Sequence, residues 1–191
     1  QSAQCKDLNG IAESDATYFY YSEKGARTLD REPRKRGGDG IGPGISKALV
    51  PVITLRDRTG KGAERVAPSE VGSHAKELYT THLSPDTLLL TDGNPELCAA
   101  AHARNPKAHQ ALVGAAARGG DGSAFHLQNT NSFHSHLKRW MSRFHGVATK
   151  YLDNYVGWHR HLFERTHQND PNKFILLSFN PLSISNQLTV T

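Results

Sequence analysis

The sequence predicts an α/β or α+β domain built on a mixed sheet, and three observations carry that expectation. Short segments rich in β-branched and aromatic residues are interrupted by helical periodicity, one strand-turn-helix step is spelled out between Thr87 and Ala103, and two long amphipathic patterns follow near the end. With 191 residues, 37% of them apolar, the chain is long enough for one core and reads as a single globular unit rather than a disordered tail.

Taken in order, Ile11 to Tyr21 is a strand candidate, as is Lys47 to Leu55, which runs into the turn-like Asp57-Arg58-Thr59-Gly60. Between them, Lys24 to Lys47 holds seven basic and three acidic residues with many glycines, Pro33 and Pro43; too few apolar groups remain to pack, and a long basic loop is expected. A short strand near Ala63 to Ala67 precedes a helix to about His82, with Ser69 as its expected cap and Ala75, Leu78 and His82 on one side. A strand at Thr87 to Leu90 is bounded by Pro85-Asp86 and by Asp92-Gly93-Asn94-Pro95, and Pro95 suits the first position of a helix through Ala103. A fifth strand near His109 to Val113 leads to the glycine-rich Arg118 to Gly122. Helices are then expected over about His126 to His145, with a stripe of Phe133, Leu137, Trp140 and Phe144, and over about Thr149 to Arg165, with Tyr151, Tyr155, Trp158 and Leu162. Gly146 breaks the chain between them, and the two should pair as a hairpin.

Composition narrows the function. Lys and Arg number 23 against 18 Asp and Glu, a net charge of +5, which favours an anionic partner such as nucleic acid. The longest nearly uninterrupted apolar stretch, Ala48 to Leu55, is far short of the roughly 20 residues of a membrane helix, so a soluble intracellular protein is expected. Cys5 and Cys98 are too distant in sequence for a CxxC module and too few for a disulfide framework. The chain opens on Gln1 rather than Met and reads as a fragment or a trimmed chain.

Several segments, in order, resemble one family. They are Asp15-Ala16-Thr17-Tyr18-Phe19, Lys24-Gly25 with Pro33-Arg34-Lys35-Arg36-Gly37-Gly38, then Leu55-Arg56-Asp57-Arg58-Thr59-Gly60, then Leu90-Thr91-Asp92-Gly93. The most specific is His126-Leu127-Gln128-Asn129-Thr130-Asn131-Ser132-Phe133-His134-Ser135-His136-Leu137-Lys138, continuing through Arg143-Phe144-His145-Gly146-Val147-Ala148-Thr149-Lys150-Tyr151-Leu152. Together, over about residues 8 to 167, they resemble the catalytic domain of ISXO-type insertion-sequence transposases. The resemblance implies an RNase-H-like fold of the retroviral-integrase superfamily, with a five-stranded mixed sheet flanked by helices and closed by a long helical hairpin. It implies a catalytic domain over 1–167 with a basic loop inserted at about 24–47, and a tail over 168–191. It also implies DNA cleavage and strand transfer with Mg²⁺ or Mn²⁺, two ions, on double-stranded transposon ends and target, by a homo-oligomer on DNA in the cytoplasm at the nucleoid, with no membrane.

Two departures stand out. Family members usually place an acid after the first aspartate, where this chain has Ala16, and they carry an N-terminal DNA-binding region, which a match starting near residue 8 leaves no room for. A catalytic domain alone is therefore expected, and a catalytically silent relative that only binds DNA or a partner is the alternative.

The implied metal ligands are Asp15, Asp92 and Asn131, with Lys138 as a fourth catalytic group. Two-ion phosphodiester chemistry needs oxygen ligands that converge, which parallel neighbouring strands would achieve for Asp15 and Asp92. Taken alone, each aspartate reads as a solvated strand-end residue and Asn131 as a helix cap. Asn131 stands where others of the superfamily carry Glu, so the ligands offer two negative charges. At about 100° per residue, Asn131 and Lys138 lie nearly opposite the Phe133-Leu137-Trp140-Phe144 stripe. They face the site only if that stripe packs on the last helix rather than the sheet. The pairs His134/His136 and His159/His161 point apart on a helix, so zinc is discounted. Glu13 and Asp57 are spare acids, open to a structural role. Arg31, Arg34, Lys35, Arg36, Arg139, Arg143 and Lys150 are the candidate DNA contacts, any of which could equally be plain surface charge.

Overall fold

A computed structural model describes residues 8–29, 48–68, 70–114 and 124–165. The glycine-rich Arg118 to Gly122, most of the basic loop with Arg31, Arg34, Lys35 and Arg36, the expected cap Ser69 and the tail over 168–191 lie outside the described residues.

Five strands, β1 (Ile11–Tyr20), β2 (Leu49–Asp57), β3 (Gly62–Val66), β4 (Leu88–Thr91) and β5 (His109–Ala111), form one sheet in the order β3-β2-β1-β4-β5. β2 runs antiparallel to both β1 and β3, whereas β4 and β5 run parallel to β1. The helices are α1 (Val71–His82), α2 (Pro95–Arg104), α3 (Gln128–Ser142) and α4 (Leu152–Arg165). The expected mixed α/β sheet is thus present, with strand ends shifted by one or two residues.

Alternation along the strands assigns the faces. Ala12, Ile53, Leu55 and Leu89 pack with Ala75, Leu78, Tyr79, Leu97 and Ala101 of α1 and α2. On the other face Val50 and Val52 meet Phe133, Leu137 and Met141 of α3 and Leu152 and Val156 of α4. Helices therefore cover both faces of the sheet.

The helix starts follow from local chemistry. Asn94 caps α2, its side chain accepting from the Glu96 and Leu97 N–H groups, with Pro95 at the first helical position as expected. α1 begins differently: Glu70 is the cap residue, at φ 50, and contributes no side-chain cap. α4 corrects the sequence pattern. Its buried residues include Leu152, Val156, His159 and Arg160, one position out of phase with the expected stripe, while Tyr151 sits exposed in a 3-10 turn and Trp158 is 45% exposed. Aromatic side chains had marked a flank; Trp140 and Phe144 of α3 meet Tyr155 and Trp158 along it.

The reason lies in a charged cluster that α4 buries. Arg56 of β2, 1% exposed, pairs with Glu64 of β3 and with Glu164 of α4 at 3.1 Å, and Arg160 of α4 reaches Glu64 at 3.2 Å. The Arg56 guanidinium also lies 4.0 Å over the Phe133 ring of α3. Gly62 leaves it room, since a Cβ there would sit 2.6 Å from the Arg56 side chain. Removing one partner leaves an uncompensated buried charge. Glu64→Ala, which takes a buried acidic partner from both arginines, is expected to lower unfolding free energy by roughly 3 kcal/mol in urea titration; a loss under about 1 kcal/mol would mean that water already screens the cluster.

Candidate active site

Parallel pairing of β1 with β4 ends with Ser14 opposite Thr91. One step further, Asp15 and Asp92 emerge side by side on the face that α3 covers. The strand-end turn holds Asp92: its Oδ1 accepts from Asn94 N–H at 3.0 Å, and Gly93 takes φ 85 in a place where a Cβ would touch Val113.

Burial first, then the charge of Asp92 and a hydrogen bond shared with it, push the Asp15 carboxyl up to about 7; the Ala16 N–H and the Lys138 ammonium oppose the rise. Two carboxylates are thus crowded where one of them keeps a proton near neutrality. Among the described residues no three His, Cys, Asp or Glu side chains converge as a metal-holding group, so the anionic part of the site is these two aspartates.

α3 supplies the remaining wall. His134 places Nδ1 3.6 Å from Asp15 Oδ2, and burial, with help from the charges of Lys138 and Arg56, pulls its imidazole down to about 4. It is neutral at physiological pH, so this is a polar contact rather than an ion pair. Asn131 and Lys138 lie on the exposed edge of α3 that flanks His134, and the charge of Lys138 is felt at Asp15. The two alternatives posed by the apolar stripe resolve by division. Phe133 and Leu137 pack against β2 while Trp140 and Phe144 turn to α4, and the buried face, which also takes Thr130, His134 and Met141, is rotated toward the site. Asn131 is no cap: the cap position is Leu127, which offers no side-chain acceptor.

The missing acceptor is Glu13. Its carboxylate, with no exposed area, takes the N–H groups of Asn129 at 2.8 Å and Thr130 at 3.0 Å, and the Asn129 side-chain amide at 2.7 Å. Arg58, at the end of β2, pairs with the same carboxylate and donates to the Ala124 carbonyl at 2.6 Å. Asp57 is also structural, its Oδ1 accepting from Thr59 and Lys61 N–H in the turn to β3. Sequence reasoning left Glu13 as a spare acid and gave Arg58 and His134 no role; the available signal was an acid two residues before Asp15, hence on the same strand face.

Ala16 faces the other way, packed against the core under α1 and α2. The acid usual at that position therefore would not point at Asp15, and its loss removes no group from the Asp15 side. The i,i+2 histidines diverge as expected, His134 facing Asp15 and His136 meeting Phe163. Arg139, Arg143 and Lys150 are exposed, with Lys150 Nζ 4.9 Å from the Tyr151 ring. Lys24, the first residue of the expected basic loop, instead donates to the carbonyls of Phe144 and Gly146 in the turn after α3.

A mixed sheet covered by helices, with paired strand-end carboxylates walled by a helix, defines an α/β domain with a two-aspartate site at the ends of its central parallel strands. The chain belongs to the ISXO-type insertion-sequence transposases: the ISXO2-like transposase domain matches residues 7–159. No curated protein matches it.

The crowding of Asp15 has a signed consequence. The folded chain holds this proton up to about pH 7 and the unfolded chain releases it near 3.8, so the contribution to stability falls as pH rises from about 4 to 7. Asp15→Asn removes both the buried charge and its repulsion from Asp92 and is expected to be more stable than the parent at pH 8 by roughly 2 kcal/mol, discounted for a site partly open to water, with the gap closing toward pH 4. Urea titrations at the two pH values check it, and a pH-independent gap would dismiss the raised carboxyl.

Proposed function

We propose that this chain is the catalytic domain of a DNA transposase with an RNase-H-like fold, which cuts and joins phosphodiester bonds at insertion-sequence ends using divalent metal held by Asp15, Asp92 and Asn131. The observation that carries the reading is the side-by-side emergence of Asp15 and Asp92 from neighbouring parallel strands, with the Asp15 carboxyl raised by burial and then by the Asp92 charge. The sheet order, with β2 alone antiparallel to its neighbours, supports the fold assignment.

The donor set suits hard cations. Two crowded carboxylates gain from a divalent ion the compensation that a proton otherwise provides, and an amide oxygen at Asn131 adds a neutral ligand of the type Mg²⁺ accepts. Mg²⁺ or Mn²⁺ held there, as a pair of ions, supplies activation of the attacking oxygen and stabilisation of the leaving oxygen. With only two anionic ligands, the DNA phosphates complete the charge balance. Lys138 is suited to hold a phosphate beside the aspartates. His134, neutral and buried against Asp15, keeps water from that side of the carboxyl.

Double-stranded DNA is the substrate, and joining two ends calls for a homo-oligomer assembled on it. No described helix is long and apolar enough to cross a membrane. The silent-relative reading rested partly on Ala16, which packs away from the site.

A Mn²⁺-dependent nicking assay on terminal-repeat DNA tests the proposal. Asp15→Asn and Asp92→Asn are expected to abolish cleavage in folded protein, whereas two folded variants cutting at the parental rate would end it. Asn131→Ala should move the Mn²⁺ requirement to higher concentration, and Asn131→Asp, which keeps an oxygen at that reach and adds charge, should be milder.

DNA contact is proposed for Arg31, Arg34, Lys35 and Arg36 together with Arg139, Arg143 and Lys150. Neutralising Arg34, Lys35 and Arg36 together should weaken binding to all sequences and flatten the dependence of log affinity on log salt by about 3 units. An unchanged slope would place the DNA path elsewhere.

A further inference from the structure

We propose that Glu13 is a positioning residue for the strand-cutting reaction: by gripping the amino end of α3 from β1, it sets Asn131 and Lys138 in register with Asp15. The inference rests on the reading of Asp15, Asp92 and Asn131 as the metal site.

The first turn of any α-helix has N–H groups without partners inside the helix; at α3 the cap residue Leu127 offers no side-chain acceptor, and His126 Nδ1 takes only the Gln128 N–H, at 3.2 Å. Glu13 answers from another element. Oε2 accepts from Asn129 and Thr130 N–H, and Oε1 from the Asn129 side chain and from Arg58. A carboxylate at this end also suits the positive pole of the helix. Both oxygens are used and the group is fully buried, so the grip is directional.

The other contacts of α3 act along its body and at its far end. Phe133, Leu137 and Met141 seat it on apolar residues of β2 and α4, the Arg56 guanidinium lies over the Phe133 ring and Lys24 holds the turn after it, whereas Glu13 fixes the amino end, beside Asn131. Glu13 and Asp15 occupy the same face of one strand, about 7 Å apart along it. The fixed end of α3 and the carboxylate that Asn131 must join are therefore measured from the same piece of backbone. Arg58 extends the grip to the segment before the helix through the Ala124 carbonyl. Displacement of a reacting group by about 1 Å can cost on the order of 100-fold in rate. A grip of this kind bears on catalysis rather than on DNA affinity.

Glu13→Gln keeps the size of the side chain but offers one acceptor oxygen where two are used. In the full chain, nicking of terminal-repeat DNA at saturating DNA is expected to fall at least tenfold, and the Mn²⁺ concentration for half-maximal rate to rise several-fold. Affinity for the same DNA in EDTA should stay at the parental value, and hydrogen exchange of the Asn129 and Thr130 amides should accelerate. Asn129→Ala, which removes only the side-chain donor, is expected to fold as the parent does and to shift the Mn²⁺ curve in the same direction by less. It keeps the proposal open to refutation if Glu13→Gln fails to fold. A parental rate and Mn²⁺ curve in folded variants whose amides are freed would reduce Glu13 to a stabiliser of the fold and overturn the proposal. A parent chain that neither nicks DNA nor gains thermal stability from Mn²⁺ would remove the metal reading itself, and the proposal with it.

Discussion

Two carboxylates on one face of β1 meet opposite electrostatic fates, and the geometry around them follows from the difference. Glu13 is surrounded by donors: two helix N–H groups, an amide and a guanidinium. Asp15, two residues on, has one backbone donor, a lysine charge at a distance and a second carboxylate beside it. The first is neutralised by protein and becomes a fastener. The second is left in want of positive charge, which is the state a cation-binding group must be in before its ion arrives. The proposed site thus depends on a strand that satisfies one acid completely and withholds satisfaction from its neighbour.

That contrast needs α3 to stay where it is, and the Arg56 cluster holds its other side. Arg56 joins β2 to β3 through Glu64, to α4 through Glu164, and to α3 through the face of Phe133. Buried ion pairs contribute little net stability against apolar replacements of similar shape, but they tolerate few alternative arrangements once formed. An arrangement of this sort fits a helix layer whose orientation matters more than its stability. Lys24 adds a third fixing point, where the chain leaving β1 binds the carbonyls of the turn that ends α3.

Much of this fold is legible in the chain. Asn94-Pro95 is an unambiguous start for α2, and the run Ile11 to Tyr21 contains the observed β1 because its alternation and branched side chains suit a half-buried strand. The pairing of Asp15 with Asp92 could be expected only through resemblance, since register between segments far apart in sequence has no local signature. Helix faces were the poorest part of the reading. Hydropathy assigned the α4 interior to Tyr151, Tyr155 and Trp158, whereas the buried side includes His159 and Arg160. A charge that will find its counter-charge inside cannot be told, from sequence alone, from one that will face water. The same blindness hid Glu13 among spare acids and counted Lys24 with a basic loop, where its ammonium instead bonds to the carbonyls after α3.

The departures from the usual family pattern now separate into two kinds. Ala16 is inert toward the site, because strand alternation sends it into the α1 and α2 core, where an alanine methyl packs and an ionised carboxylate would need a partner. On the proposed reading Asn131 is not inert, because an amide in place of a carboxylate lowers the negative charge available to any bound cation. A site with fewer fixed charges binds divalent ions less tightly when empty of substrate and leans more on phosphate oxygens for its last ligands. Metal loading and DNA binding are then coupled more strongly than in a three-carboxylate site: each supplies the charge the other lacks. On the proposed reading, the asparagine makes assembly of the metal centre conditional on DNA, and the directional hold on α3 matters all the more, since a neutral amide has little electrostatic pull of its own to bring it into place.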